Sequence, residues 1–217
     1  MPLEFGAVGP PWWDDRPVAV VGAGPSLKGF NFDRLRGPWH VLAVNQKVWD
    51  LPFACAGFSL DLPWMQHQAE PLGTLTVPLW LAVPETEHVP SIAGATYLRR
   101  IRVSNRLSTD PTRIESGGTS GFGAFNFAVL KRAKKIVLFG FDYSDQGVGH
   151  DKPEQYPWHK KFQNVSLWPR WATNFRDTVP QLGGVTVLNA SPVSSIDAFP
   201  KCEIEEAMRA LLWRDAA

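Results

Sequence analysis

Residues Val18–Gly29 read VAVVGAGPSLKG. Four apolar residues running into Gly-x-Gly are how a buried first strand enters a phosphate-binding turn. A dinucleotide site makes two further demands: a third glycine for close helix–strand packing, and an acidic residue near the end of the second strand for the ribose hydroxyls. Here Leu27 stands where the third glycine belongs, and the second apolar run, HVLAVN, closes on Asn45-Gln46 with no carboxylate. Both tests fail, which argues against NAD and FAD. The turn still suits a phosphate or a nucleotide. Gly22 and Gly24 let the backbone approach a ligand, Pro25 shapes the bend, and Ser26 offers a hydroxyl.

Working outward, apolar runs alternate with helical patterns. PVAVVG, HVLAVN, FACAGFSLD, LTVPLWLAV, TYLRRIRV, KKIVLFGFD and GVTVLNAS read as strands. NFDRLRG fits a short helical turn with Asn31 as cap and Gly37 as stop, and LPWMQHQAE a weak helix. TSGFGAFNFAVLKRA is the clearest helix, capped by Thr119 or Ser120. LWPRWATNFRDTVPQL and EIEEAMRALLWR complete the set. This alternation predicts one α/β domain over residues 1–217, with a Rossmann-like, mainly parallel sheet flanked by helices. Residues 1–16 are rich in Pro, Gly and Trp and are expected to be irregular. Residues 143–166 form a long polar stretch after the Gly-Phe-Asp strand end, expected to be an active-site loop or lid.

Ligands of such folds sit beyond the carboxyl ends of the strands. That rule selects Gly22, Ala23, Gly24, Pro25 and Ser26; Asn45 and Gln46; Asp61; Gly140, Phe141, Asp142 and Tyr143; Asn189 and Ser191; and, at the start of the capped helix, Gly118, Thr119, Ser120 and Gly121. The two amides can donate and accept at once, as the edge of a base or a ribose requires. The helix start is a second natural anion site.

The net charge of +1 points to no nucleic acid or membrane globally, but it is uneven. Residues 1–98 carry 5 basic and 9 acidic side chains, and residues 99–217 carry 17 and 12. Basic groups in RRIR, KRAKK and HKK fit solvated helix ends, or an anionic ligand near the second half. Two distant cysteines, Cys55 and Cys202, give neither a disulfide framework nor zinc spacing, and His40, His67 and His88 show no ligand spacing. No metal site is expected. No signal peptide and no membrane-spanning run is visible, so a soluble, cytoplasmic protein is expected.

In order along the chain, GAGPSL, NQ, TSG and AKKIVLFGFDYS resemble the metal-independent bacterial sialyltransferases that use CMP-sialic acid. The same skeleton is similar to the broader group holding archaeal-type 6-hydroxymethylpterin pyrophosphokinases, motility-associated glycosyltransferase-like proteins and many phage proteins. The resemblance covers about residues 17–200. It implies a nucleotide-sugar donor, with a pyrimidine base favoured, and no obligatory cofactor. Gly22, Gly24 and Ser26 match the nucleotide-binding turn. Asn45 and Gln46 match the pair that contacts the nucleotide, and Thr119, Ser120 and Gly121 the segment beside the transferred sugar. Gly140 and Asp142 match the strand end near the ribose and phosphate, and the resemblance implies catalytic roles for Asp142 and Tyr143 in positioning the sugar and assisting the leaving phosphate. Two departures argue against sialic acid as donor: Ala23 replaces the turn's Asn, and the tyrosine of the strand end moves one place, to Tyr143. In those glycosyltransferases a histidine base follows the Asp strand. Here that segment holds His150 and His159, and the lysines beside His159 favour it, because they would lower its pKa and keep it unprotonated, able to act as a base. Tyr156 is a further candidate to face the phosphate. The expected acceptor is a hydroxyl on a glycan or on a modified base of phage DNA. The alternatives are an ATP- and magnesium-dependent pyrophosphokinase acting on a small heterocycle, and a non-catalytic nucleotide-binding or assembly protein.

Overall fold

The computed structural model describes residues 3–9, 15–86, 88–102, 105–144 and 167–210. Eight parallel strands form one sheet: β1 (Val18–Val21), β2 (His40–Val44), β3 (Ala56–Ser59), β4 (Leu79–Val83), β5 (Ala95–Ile101), β6 (Arg113–Glu115), β7 (Lys135–Phe139) and β8 (Thr186–Ala190). Their order is β6-β5-β4-β3-β2-β1-β7-β8. The chain builds outward from β1 to β6, then returns and lays β7 on the free side of β1. Val21 is therefore in register with Ala43 on one side and Phe139 on the other. Helices on both faces explain the continuous apolar runs, because a strand buried on both sides has no polar face to show. Val18 and Val20 enter one core layer, and Ala19 and Val21 the other.

The helices are α1 (Lys47–Asp50), α2 (Leu62–Leu72), α3 (Ser120–Leu130), α4 (Trp168–Arg176) and α5 (Ile204–Ala210). The return from β6 to β7 is α3. Thr119 caps it by accepting from the Phe122 amide, as its position before the apolar run predicts. Residues on all its sides are buried, because α4 covers the face turned away from the sheet. Phe175 of α4 packs edge-on to Phe122 at 5.1 Å between ring centroids, and tilted against Phe125 at 5.6 Å.

The expected α/β architecture is the one observed, and among the described residues every strand pair is parallel. Two local expectations change. The stretch preceding α3 contains β6, a three-residue edge strand whose charged ends Arg113 and Glu115 hide its pattern. The last long helix stops at Arg176, and Val179–Gln181 form a separate turn around Pro180. Residues 3–9 are irregular, as expected, apart from the bridge of Phe5 to Tyr97, and they dock on the sheet with Val8 buried. No helix among the described residues is long and apolar enough to cross a membrane.

Lys131, at the carboxyl end of α3, is 1% exposed and lies over the Trp80 ring at 5.5 Å. Burial pushes its pKa down to about 8. An unfolded lysine keeps its proton to roughly 10.4, so between these values the unfolded chain binds the extra proton. The Lys131 contribution to stability is thus expected to rise as pH goes from about 8 towards 10, while Cys202, whose pKa burial raises, acts in the opposite sense. The urea midpoint of the wild-type chain should therefore climb across that window relative to that of Lys131→Met.

Candidate functional site

The sheet reverses direction between β1 and β7. In open α/β sheets this is where a crevice opens beyond the strand ends. At this edge of the sheet lie the turn after β1, the end of β2 and the end of β7, on neighbouring parallel strands, and the start of α3 meets the β7 end through Thr119 and Tyr143.

The β1 turn and the β7 end are zipped together. The Gly22 amide donates to Phe139 O at 2.8 Å, and the Gly24 amide to Gly140 O at 3.0 Å. The Ser26 amide donates to Asp142 Oδ2 at 2.8 Å, and the Ser26 hydroxyl to Asp142 Oδ1 at 2.6 Å. From the end of β8, the Ser191 hydroxyl also donates to Oδ1, at 2.6 Å. The Asp142 carboxylate, 4% exposed, thus ties three strand ends together. The glycines serve the same contact. A Cβ on Gly24 would lie 2.6 Å from both Gly140 O and Asp142 Oδ2. Gly140 has φ +67, a left-handed backbone that glycine adopts freely, and a Cβ there would meet Leu27 at 2.6 Å. After this turn the chain makes only the short 3-10 turn Pro25–Leu27, so no helix macrodipole aims at it. Its glycine amides and the Ser26 amide are committed to the β7 end rather than presented to a phosphate.

The start of α3 is different. Thr119 Oγ1 accepts from the Phe122 amide at 3.1 Å and shares a hydrogen bond with the Tyr143 hydroxyl at 2.8 Å. The Ser120 hydroxyl accepts from the Leu60 amide at 3.2 Å, fastening α3 to the end of β3. Tyr143 has φ +47, a left-handed conformation costly for a bulky side chain. This backbone turns the ring across the start of α3, edge-on to Trp171 at 6.5 Å between centroids. Burial pushes the Tyr143 pKa up to about 12, so the phenol stays protonated at neutral pH. Gly121 is needed beneath it, because a Cβ would sit 2.6 Å from the Tyr143 hydroxyl. Tyr143→Phe is expected to cost about 0.5–1.5 kcal/mol, the worth of one hydrogen bond, measured as a shift in unfolding free energy.

At the end of β2, Asn45 takes φ +52. Its Oδ1 is buried and has no partner among the described residues. Gln46, 9% exposed, accepts from the Trp64 indole N–H at 2.7 Å. The sequence does not reveal this partnership, because Trp64 lies on α2, 18 residues away. Ser191 is selected from the sequence as a strand-end residue, but its partner Asp142 emerges only from the β7–β8 register.

His150, Tyr156 and His159 lie outside the described residues, as does the stretch 145–166 of the expected lid. Among the described residues, no group of three or more His, Cys, Asp or Glu side chains could hold a metal ion. His40 is buried at the opposite end of β2, 3.7 Å from the Cys55 sulfur. Comparison with family models, with curated proteins and with solved structures finds no match to this chain.

Proposed function

We propose that the chain binds a nucleotide-activated sugar at this switch point and transfers the sugar to an acceptor hydroxyl. The observation that carries the reading is the amide pair at the end of β2, with the buried Asn45 oxygen lacking a partner among the described residues. A buried acceptor of this kind is costly unless a ligand donor reaches it. The helix start at Ser120 and Gly121 supports the same reading, because its free amides and dipole favour a phosphate. The nucleotide base or ribose lies against Asn45 and Gln46, and the phosphates face Thr119, Ser120 and Gly121. Asp142 acts through Ser26 and Ser191: it holds the β1 turn in place rather than touching the sugar. Tyr143 frames the phosphate side through Thr119.

In the transfer, the acceptor oxygen forms a bond to the sugar carbon while the bond from that carbon to the phosphate oxygen breaks. The nucleotide leaves with the electron pair, as a monophosphate or diphosphate. His159 takes the acceptor proton as general base, an assignment that rests on the family resemblance. The uneven charge of the chain, with the basic excess after residue 98, fits an acceptor carried on an anionic polymer, such as an acidic glycan or a base within phosphate-backed DNA.

The test is release of free nucleotide from a panel of CMP-, UDP- and GDP-sugars. Release from a pyrimidine nucleotide sugar is expected. AMP formed from ATP and magnesium would replace the glycosyltransferase with a pyrophosphokinase, and tight binding without release from any donor would make the chain a non-catalytic nucleotide binder.

A further inference from the structure

We infer that Trp64 is a positioning residue that sets which way the Gln46 carboxamide faces, and so makes the end of β2 a reader of a nucleobase edge. The inference rests on the nucleotide reading above and adds the polarity of the contact.

An indole N–H can only donate. Its 2.7 Å contact with Gln46 therefore requires the carboxamide oxygen on the Trp64 side and leaves the NH2 on the other. Trp64 is itself locked. It is 0% exposed, and its backbone amide donates to Asp61 Oδ1 at 3.2 Å, in the cap that starts α2. The lock thus runs from the end of β3 through Asp61 and Trp64 to Gln46, while the β1–β2 pairing fixes the backbone beneath. The amide nitrogen of Gln46 has no hydrogen bond to another described residue. Beside it in the chain, Asn45 contributes a buried acceptor oxygen without a partner among the described residues. Without the lock, a glutamine amide can present either end at little cost. With it, Gln46 offers its NH2 only as donor, beside the acceptor oxygen of Asn45, whose own NH2 is a further donor.

That pattern fits a ligand edge carrying an acceptor next to an N–H donor. The amino group and ring nitrogen of cytosine, or the ring N–H and carbonyl of uracil, have it, and a bare sugar phosphate lacks the pairing of ring acceptor and N–H donor. A site built to hydrogen-bond such groups rejects a ligand lacking them, because its buried polar atoms are left unpaired.

The experiment measures dissociation constants of CMP, UMP and ribose 5-phosphate for three chains: wild type, Trp64→Phe and Gln46→Glu. The wild type should prefer at least one of the two nucleotides over ribose 5-phosphate by more than about tenfold. Trp64→Phe removes the lock but keeps most of the ring, and should cut that preference by about tenfold while ribose 5-phosphate affinity holds. Gln46→Glu keeps Trp64 packed and its indole bond made, but replaces the facing donor with a carboxylate oxygen. It should abolish the preference, so the result does not hang on how well Trp64→Phe folds. A wild type that binds both nucleotides no better than ribose 5-phosphate, or variants that keep the wild-type preference, would overturn this inference alone. A wild type that binds none of the three overturns it together with the nucleotide reading.

Discussion

Asp142→Ala is expected to destabilise the fold by about 3–5 kcal/mol, among the largest effects of any single substitution at the site. The carboxylate accepts from the Ser26 amide, the Ser26 hydroxyl and the Ser191 hydroxyl, and it is almost fully buried. A hydrogen bond to a charged group is worth about 1.5–3 kcal/mol, and each buried donor left alone costs about 1–3 kcal/mol. The terms overlap, since the hydroxyls can turn to water that enters the gap, so their full sum is not reached. Asp142→Asn separates charge from shape. Its oxygen can still accept from the Ser26 amide, and the two hydroxyls can rotate to accept from its NH2. A loss of only about 1–2 kcal/mol is expected. Denaturant unfolding of the three chains measures both values. A cost below about 1 kcal/mol for alanine would mean that the three strand ends are held by something else.

Gly24→Ala is expected to cost about 3 kcal/mol, at the upper end for overpacking. The new Cβ meets Gly140 O and Asp142 Oδ2, both at 2.6 Å. The first is backbone and the second is pinned by its own hydrogen bonds, so neither yields cheaply. Gly24 has φ −66, which alanine adopts without strain, and the whole cost is therefore contact. Gly29 is the control. It has φ +80 and nothing within 4 Å of a Cβ, so alanine there pays only the left-handed backbone, about 1–2 kcal/mol. If the zipped turn is one unit, Gly24→Ala and Asp142→Ala should be strongly non-additive, because the first already breaks contacts the second removes. Equal costs for the two glycines would contradict the zipped arrangement.

Much of the fold is legible in the sequence because its strands are buried on both faces. VAVV, HVLAV and KIVLF carry no polar residue beyond a terminal His or Lys, and each is followed by a residue that breaks the strand. The capped start of α3 is equally plain, since Thr119 stands directly before the apolar run. β6 is hidden because three residues at a sheet edge, two of them charged, carry no period.

The site divides along the same line. The residues at this edge of the sheet can be named from strand ends alone, because parallel strands all end on the same side. What each of them does depends on contacts between elements distant in sequence. The Gly-x-Gly turn looks like a phosphate cradle, yet its glycines admit the end of β7, 116 residues away at the Ser26–Asp142 contact. The displaced tyrosine looks as if it should face elsewhere, but the left-handed backbone at Tyr143 swings it onto Thr119. Gln46 looks like a free amide, and Trp64 holds one end of it.

The central claim is that the switch point between β1 and β7 binds a nucleotide against Asn45. Thermal or chemical denaturation with CMP, CDP, UDP, GDP, and ATP with magnesium tests it most directly, with Asn45→Ala run in parallel. A ligand at ~100 times its dissociation constant adds about 2.7 kcal/mol of stability. At least one pyrimidine nucleotide should reach that value with the wild type and lose most of it with Asn45→Ala. No shift with any nucleotide, or a shift that Asn45→Ala leaves intact, would contradict the claim.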